Sequence, residues 1–117
     1  MTSGPEVVLD VERRSGAFLL ILANTGSSTA FEPRVRFEPA VKGLGGTVDL
    51  SELPIWSGLP MLRPGASIEV LLDTMAIPTA ETRFVATVGF TDGTGTKFER
   101  AYRHDLHVYD DLPSLAD

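Results

Sequence analysis

The stretch "FVATVGFTDGTGTKF", residues 84–98, decides the fold class. Phe84, Ala86, Val88 and Phe90 fall on alternate positions, the period at which a strand shows one face to a core. The run stops at Asp92-Gly93-Thr94-Gly95, a hairpin signal, and the chain resumes at Lys97 with Phe98, Tyr102, Leu106 and Val108 in the same phase. A hairpin whose return strand reaches about Val108 is therefore expected. The same period runs outward from it. Val7, Leu9 and Val11 alternate with Val8, Asp10 and Glu12, and Phe31, Pro33, Val35 and Phe37 alternate with Glu32, Arg34, Arg36 and Glu38. Ile68, Val70 and Leu72 repeat the pattern, while Phe18 to Leu22 is apolar on both faces, as a central sandwich strand would be.

Turn chemistry separates these runs. Asn24 and Gly26 tolerate positive φ and mark one turn; Pro64-Gly65 suits the central positions of a type II turn. Pro33 cannot donate to a ladder, which places it at a bulge, a strand start or an edge, and argues for an edge. The glycines of "KGLGG" (42–46) read as a loop before a short strand at 47–50, and "LPIWSGLPMLRPG" reads as mostly irregular. Only four or five residues around 76–82 suit a helix. The expected fold is all-β, an immunoglobulin-like two-sheet sandwich of about seven antiparallel strands, with a small barrel as the alternative. It divides into an N-terminal arm (1–5), the sandwich (6–109) and an acidic tail (110–117).

Bulk properties narrow the function. The chain has 117 residues, the size of one domain, and a net charge of −6 that opposes nucleic acid and anionic lipid at long range. It has no cysteine, which removes disulfides and thiolate chemistry. The longest apolar run, Ala17 to Ala23, falls well short of the roughly 20 residues of a membrane helix, and "MTSGPEVV" lacks the pattern of a signal peptide, so a cytoplasmic location is expected.

The strings "LANTGSSTAFEPRVRF", "LRPGASIEV", "FVATVGFTDGTGTKF" and "YRHDL" together resemble bacterial immunoglobulin-like domains of the cell-adhesion-related (CARDB-like) type, over about residues 6–108. The resemblance rests on an N-x-G turn, a P-G turn and a D-x-x-G hairpin. It implies an antiparallel sandwich used as an interaction module, found mostly in extracellular or envelope-associated proteins.

Chemistry-bearing clusters are sparse. "HDLH" (104–107) holds both histidines, and Asp105 and His107, on one strand face, are weak metal candidates that would need a third ligand such as Asp49 or Asp110. "DGTGT" is one residue from an aspartyl-phosphate motif, but lacks the parallel α/β context of that chemistry and reads as a turn. No serine lies in a G-x-S-x-G context. No enzymatic activity and no cofactor are expected. The favoured function is a protein-interaction or scaffolding module, binding another protein or itself, with a small-ligand, glycan or metal-binding sandwich or a part of a larger assembly as alternatives. Arg34 and Arg36 are the candidate polar contacts on a strand face. Trp56 and Met61 lie in an apolar Pro-rich segment that either plugs the sandwich or meets a partner; for Trp56 core packing is the stronger reading.

Overall fold

The computed structural model describes residues 4–43, 48–74 and 83–106. Two antiparallel sheets pack as a sandwich. One contains β1 (Val7–Arg14), β2 (Ala17–Asn24) and β7 (Ser67–Thr74), with β2 in the centre. The other has the order β6 (Met61–Leu62), β3 (Ala30–Glu38), β8 (Arg83–Thr91) and β9 (Lys97–Asp105). A short ribbon of β4 (Lys42–Gly43) and β5 (Val48–Asp49) forms a separate two-stranded sheet, with Gly43 close against the Leu72 carbonyl of β7. Between β5 and β6 lie a 3-10 turn (Leu50–Glu52) and a single-turn helix α1 (Ile55–Gly58). The core is the alternate set the period predicts: Val7, Leu9 and Val11 from β1, Leu20 and Leu22 from β2, and Phe84, Ala86, Val88 and Phe90 from β8 are all buried.

Local chemistry explains the hairpins. Ser15 (φ 49°) and Gly16 (φ 80°) form a two-residue loop with both residues left-handed, which matches the twist of β1 and β2. At Asp92–Thr96 the Asp92 amide donates to the Thr96 carbonyl at 2.9 Å, and Gly95 adopts φ 89°, so the glycine serves a turn as expected. Arg63-Pro64-Gly65-Ala66 is closed by the Ala66 amide on the Arg63 carbonyl at 3.0 Å with Gly65 at φ 79°, the geometry of the expected type II turn.

The structure refines several expectations. Pro33 sits in a β-bulge, where the pairing of β3 with β8 shifts between Phe31 and Arg34 and Glu32 takes φ 49°. β3 is not a free edge along its whole length, because Ala30 and Phe31 pair with β6. The bulge also turns Phe31 toward the side shared by its partners Met61 and Thr91, out of phase with Val35. The Pro-rich segment is not irregular throughout: α1 begins after Pro54 and ends before Pro60, where proline limits the helix on both sides. The segment 76–82, in which only four or five residues suit a helix, and the tail 110–117 lie outside the described residues. Gly4, in the expected arm, is tied to the turn after β2. Gly4 donates to the Ser27 hydroxyl at 3.0 Å, and Ser27 returns a bond to the Gly4 carbonyl at 2.9 Å.

That docking explains Gly26, which does not use positive φ at all. A Cβ there would lie 2.2 Å from the Gly4 carbonyl oxygen and 2.5 Å from the Glu6 nitrogen, so glycine is required for close backbone approach. Asn24, buried to 1% exposure, completes the junction. Its Oδ1 accepts from the Gly26 amide (2.9 Å) and the Glu6 amide (3.2 Å), and its Nδ2 donates to the carbonyls of Ser28 (2.8 Å) and Leu62 (2.9 Å). Both donors and both acceptor sites of the amide are used. Replacing Asn24 by Ala strands these backbone groups and is expected to destabilise the fold by about 3 kcal/mol, checked by urea unfolding.

Candidate functional site

The antiparallel register lays out the outer face of the four-stranded sheet row by row. Phe31, Thr91 and Lys97 form one row; Arg34, Gly89 and Glu99 the next; then Arg36, Thr87 and Ala101; then Glu38, Val85 and Arg103. In these four rows the middle strand contributes only small or uncharged side chains, and charged residues flank it; beyond them, at the start of β8, Arg83 pairs with Asp105 of β9. The result is a trough of about 530 Å³ whose lining includes Glu32, Arg34, Arg36, Gly89, Lys97 and Glu99.

Gly89 is the unexpected member. It lies in the interior of β8, has no positive φ, and a Cβ placed on it would meet nothing nearer than the Phe98 carbonyl oxygen at 3.8 Å. Glycine inside a strand costs roughly 0.5–1 kcal/mol relative to alanine, and neither backbone geometry nor packing requires it here. A glycine inside a strand often marks a bulge, a bend or a place where another group comes close to the backbone.

The flanking charges are largely unused within the fold. Arg34 lies 3.8 Å from Glu32, both well exposed, a distance at which an exposed pair contributes little. Among the described residues, Arg36, Glu38, Lys97, Glu99 and Arg103 form no ion pair. One end of the trough is bounded by the 92–96 turn. There the Asp92 carboxylate accepts from the Thr94 hydroxyl (2.7 Å) and from the Thr94 and Thr96 amides (both 2.9 Å).

The inner side of β9 has a different task. Tyr102 Oη donates to the Val7 carbonyl at 3.0 Å, and His104 Nε2 lies 2.8 Å from the Leu9 carbonyl, which can only accept, so that nitrogen carries the proton. Arg100 Nε donates to Glu6 at 3.1 Å, with its guanidinium over the Phe98 ring at 5.6 Å. These contacts close the sandwich along the β1 edge. Burial raises the Tyr102 hydroxyl above its ordinary pKa, with the nearby Glu6 charge acting in the same direction.

The residues singled out from sequence separate into two groups. Arg34 and Arg36 line the trough, and Met61, 47% exposed, stands on the same face through its pairing with Phe31. Trp56 does not join them. It is 2% exposed, its Nε1 donates to the Leu50 carbonyl at 2.6 Å, and its ring meets Phe37 edge-on at 5.1 Å, so it fills the core and offers no contact surface. Asp105 pairs with Arg83 at 3.2 Å, and Asp49 caps the 3-10 turn through the Ser51 amide; His107 and Asp110 lie outside the described residues. No group of three potential metal ligands occurs among the described residues. Gly89, Lys97 and Glu99 were not singled out from sequence; Gly89 falls in the outward phase of β8 and leaves its alternation unbroken.

The family described as "Domain of unknown function (DUF8453)" matches residues 2–110. The chain belongs to the DUF8453 family. No curated protein and no solved structure matches it. No helix among the described residues of this DUF8453 domain is long and apolar enough to cross a membrane.

The Thr94 hydroxyl, followed by the Thr96 and Thr94 amides, holds the Asp92 carboxyl below its ordinary pKa against the opposing cost of desolvation. A carboxyl depressed in the folded state stabilises it above the unfolded pKa, and that contribution is lost as pH falls through the folded value. The stability advantage of wild type over Asp92→Asn is therefore expected at neutral pH and should shrink below about pH 4, as checked by urea unfolding across that range.

Proposed function

We propose that this domain is a non-enzymatic protein-interaction module whose contact surface is the outer face of β3, β8 and β9. The observation that carries the reading is Gly89, an interior strand glycine that the fold does not require, at the floor of a trough flanked by charges of which only Arg34 and Glu32 pair with each other, weakly. A small floor lets a partner's side chains or backbone approach the sheet, and the charges at its sides supply orientation. The three-plus-four sheet arrangement, with β1, β2 and β7 facing β6, β3, β8 and β9, supports an immunoglobulin-like, CARDB-like assignment, in which recognition by a sheet face is compatible with the architecture.

Two substitutions test this. Gly89→Thr, a β-branched residue with room for its Cβ, should raise stability by roughly 0.5–1 kcal/mol in urea unfolding; a loss of stability would mean the fold itself needs the glycine. Gly89→Arg fills the trough. In affinity capture from the native host, with folding verified by circular dichroism, a protein retained by wild type should be lost from Gly89→Arg. Identical capture by both chains would remove this face from the interaction.

A further inference from the structure

The charges on this face have an order that cross-strand pairing within one chain does not use. Arg34 on β3 stands opposite Glu99 on β9 with Gly89 between them, and Glu38 stands opposite Arg103 with Val85 between them. Glu32, at the bulge, and Lys97 flank the trough near Thr91 in the same sense. Only Arg36, opposite Ala101, lacks a counterpart. The opposed charges are two strand spacings apart, about 9.6 Å, and no ion pair joins β3 to β9 among the described residues. The sign of charge thus inverts across the β8 axis.

An arrangement that inverts across a line is self-complementary under a two-fold rotation about that line. A second copy laid face to face, with the two-fold axis close to the direction of β8, sets its β3 over the first copy's β9. Arg34 then meets Glu99 of the second copy, Glu38 meets Arg103, Glu32 meets Lys97, and each contact occurs twice. The residues on the axis are Thr91, Gly89, Thr87 and Val85, so the two sheets can approach most closely at Gly89, where each copy has no side chain. The usual offset of about 30° between packed sheets needs a tilt of only about half that in the axis, which long Arg and Glu side chains can follow. With four bases (Arg34, Arg36, Lys97, Arg103) and three acids (Glu32, Glu38, Glu99), and with Arg83 and Asp105 neutralising each other at its end, the face is nearly neutral on a chain of net charge −6, so two copies repel least through it.

We propose that this face binds a second copy of the chain, forming a two-fold dimer centred on Gly89. This rests on the interaction-module reading and gives its partner. The patch measures about 15 by 25 Å from strand spacing and rise, at the small end for protein contacts, so the dimer exchanges rapidly and weakens as salt screens its ion pairs.

The test is sedimentation equilibrium of the full chain over a concentration series up to about 1 mM, with wild type, Arg34→Glu, Glu99→Arg and an equimolar mixture of the two variants. Wild type should self-associate reversibly, more weakly in high salt. Each variant alone places like charges together and should weaken association by about tenfold or more. The mixture should recover it, because Glu at 34 meets Arg at 99 and Glu99 meets Arg34. These are exposed positions, and circular dichroism verifies that the variants fold. A monomeric wild type, self-association indifferent to the single substitutions, or a mixture no tighter than its components would each overturn the dimer. A monomeric wild type that still loses a captured protein on Gly89→Arg overturns the dimer alone and leaves the interaction reading standing; identical capture by both chains removes that reading as well.

Discussion

The amide of Asn24 is the point on which the sandwich depends. It sits where β2 ends, and its side chain holds the entry to β1 through Glu6, the following turn through Gly26 and Ser28, and the second sheet through the Leu62 carbonyl. Its backbone adds the lead into β7, with its amide on the Ala66 carbonyl at 3.0 Å and its carbonyl accepting from Gly65 at 2.8 Å. One buried polar residue therefore ties both sheets, two turns and the entry to β1 into one junction. Asparagine suits this task because a carboxylate would bring a charge and no donors, and a hydroxyl has one donor where two are needed. Burial makes the requirement strict, since each stranded partner would lose its bond without gaining water.

At the opposite end of the packing problem are the strand edges. β1 is an edge of the three-stranded sheet, and its outward carbonyls at Val7 and Leu9 would template pairing with another chain. Tyr102 and His104 reach across from β9 and occupy them. The same strand blunts its own edge: Arg100 points inward to Glu6, while Lys97, Glu99 and Arg103 are exposed on the other side. Edge-to-edge addition of a strand is thereby disfavoured on this side of the sandwich.

Much of the architecture was legible in sequence because period and turn chemistry are local. The hairpin at 92–96, the type II turn at 64–65 and the central position of β2 follow from patterns spanning fewer than about 15 residues. What was missed depends on neighbours distant in sequence. Gly26 looked like a positive-φ turn residue, and only the path of Gly4 to Glu6 over it shows the steric reason. The bulge at Pro33 reversed Phe31, an ambiguity inherent in reading a proline within a strand. Arg100 and His104 were in inward phase with Phe98 and Tyr102, but polar residues in an apolar phase are misread when their partners are unknown carbonyls. For the candidate site, Arg34 and Arg36 were visible as a charged strand face, whereas Lys97, Glu99 and Gly89 became neighbours only through register. Trp56 was ambiguous because a Pro-rich apolar loop either covers a core or displays a patch, and the Leu50 carbonyl decides for the core.

The two outer faces of the sandwich make the case for a functional surface by contrast. On the three-stranded sheet, Arg14 at the end of β1 makes a two-pronged pair with Glu69 on β7, both distances 2.9 Å, and also meets Glu12. Those charges are consumed in joining strands of the same chain, across the β2 strand, and Glu69 is correspondingly held below its ordinary pKa by the Arg14 hydrogen bonds. A pair of charges separated by one intervening strand can therefore be bridged in this fold when the geometry brings them together. On the four-stranded sheet the corresponding span from Arg34 to Glu99 is open, over a glycine that imposes no steric barrier between them. If these charges served only to stabilise the monomer, closing that gap would be the simplest use of them. Opposed charges left apart over an empty floor, in a strand that bears the conformational cost of a glycine, fit a surface whose electrostatic partners arrive from outside the chain.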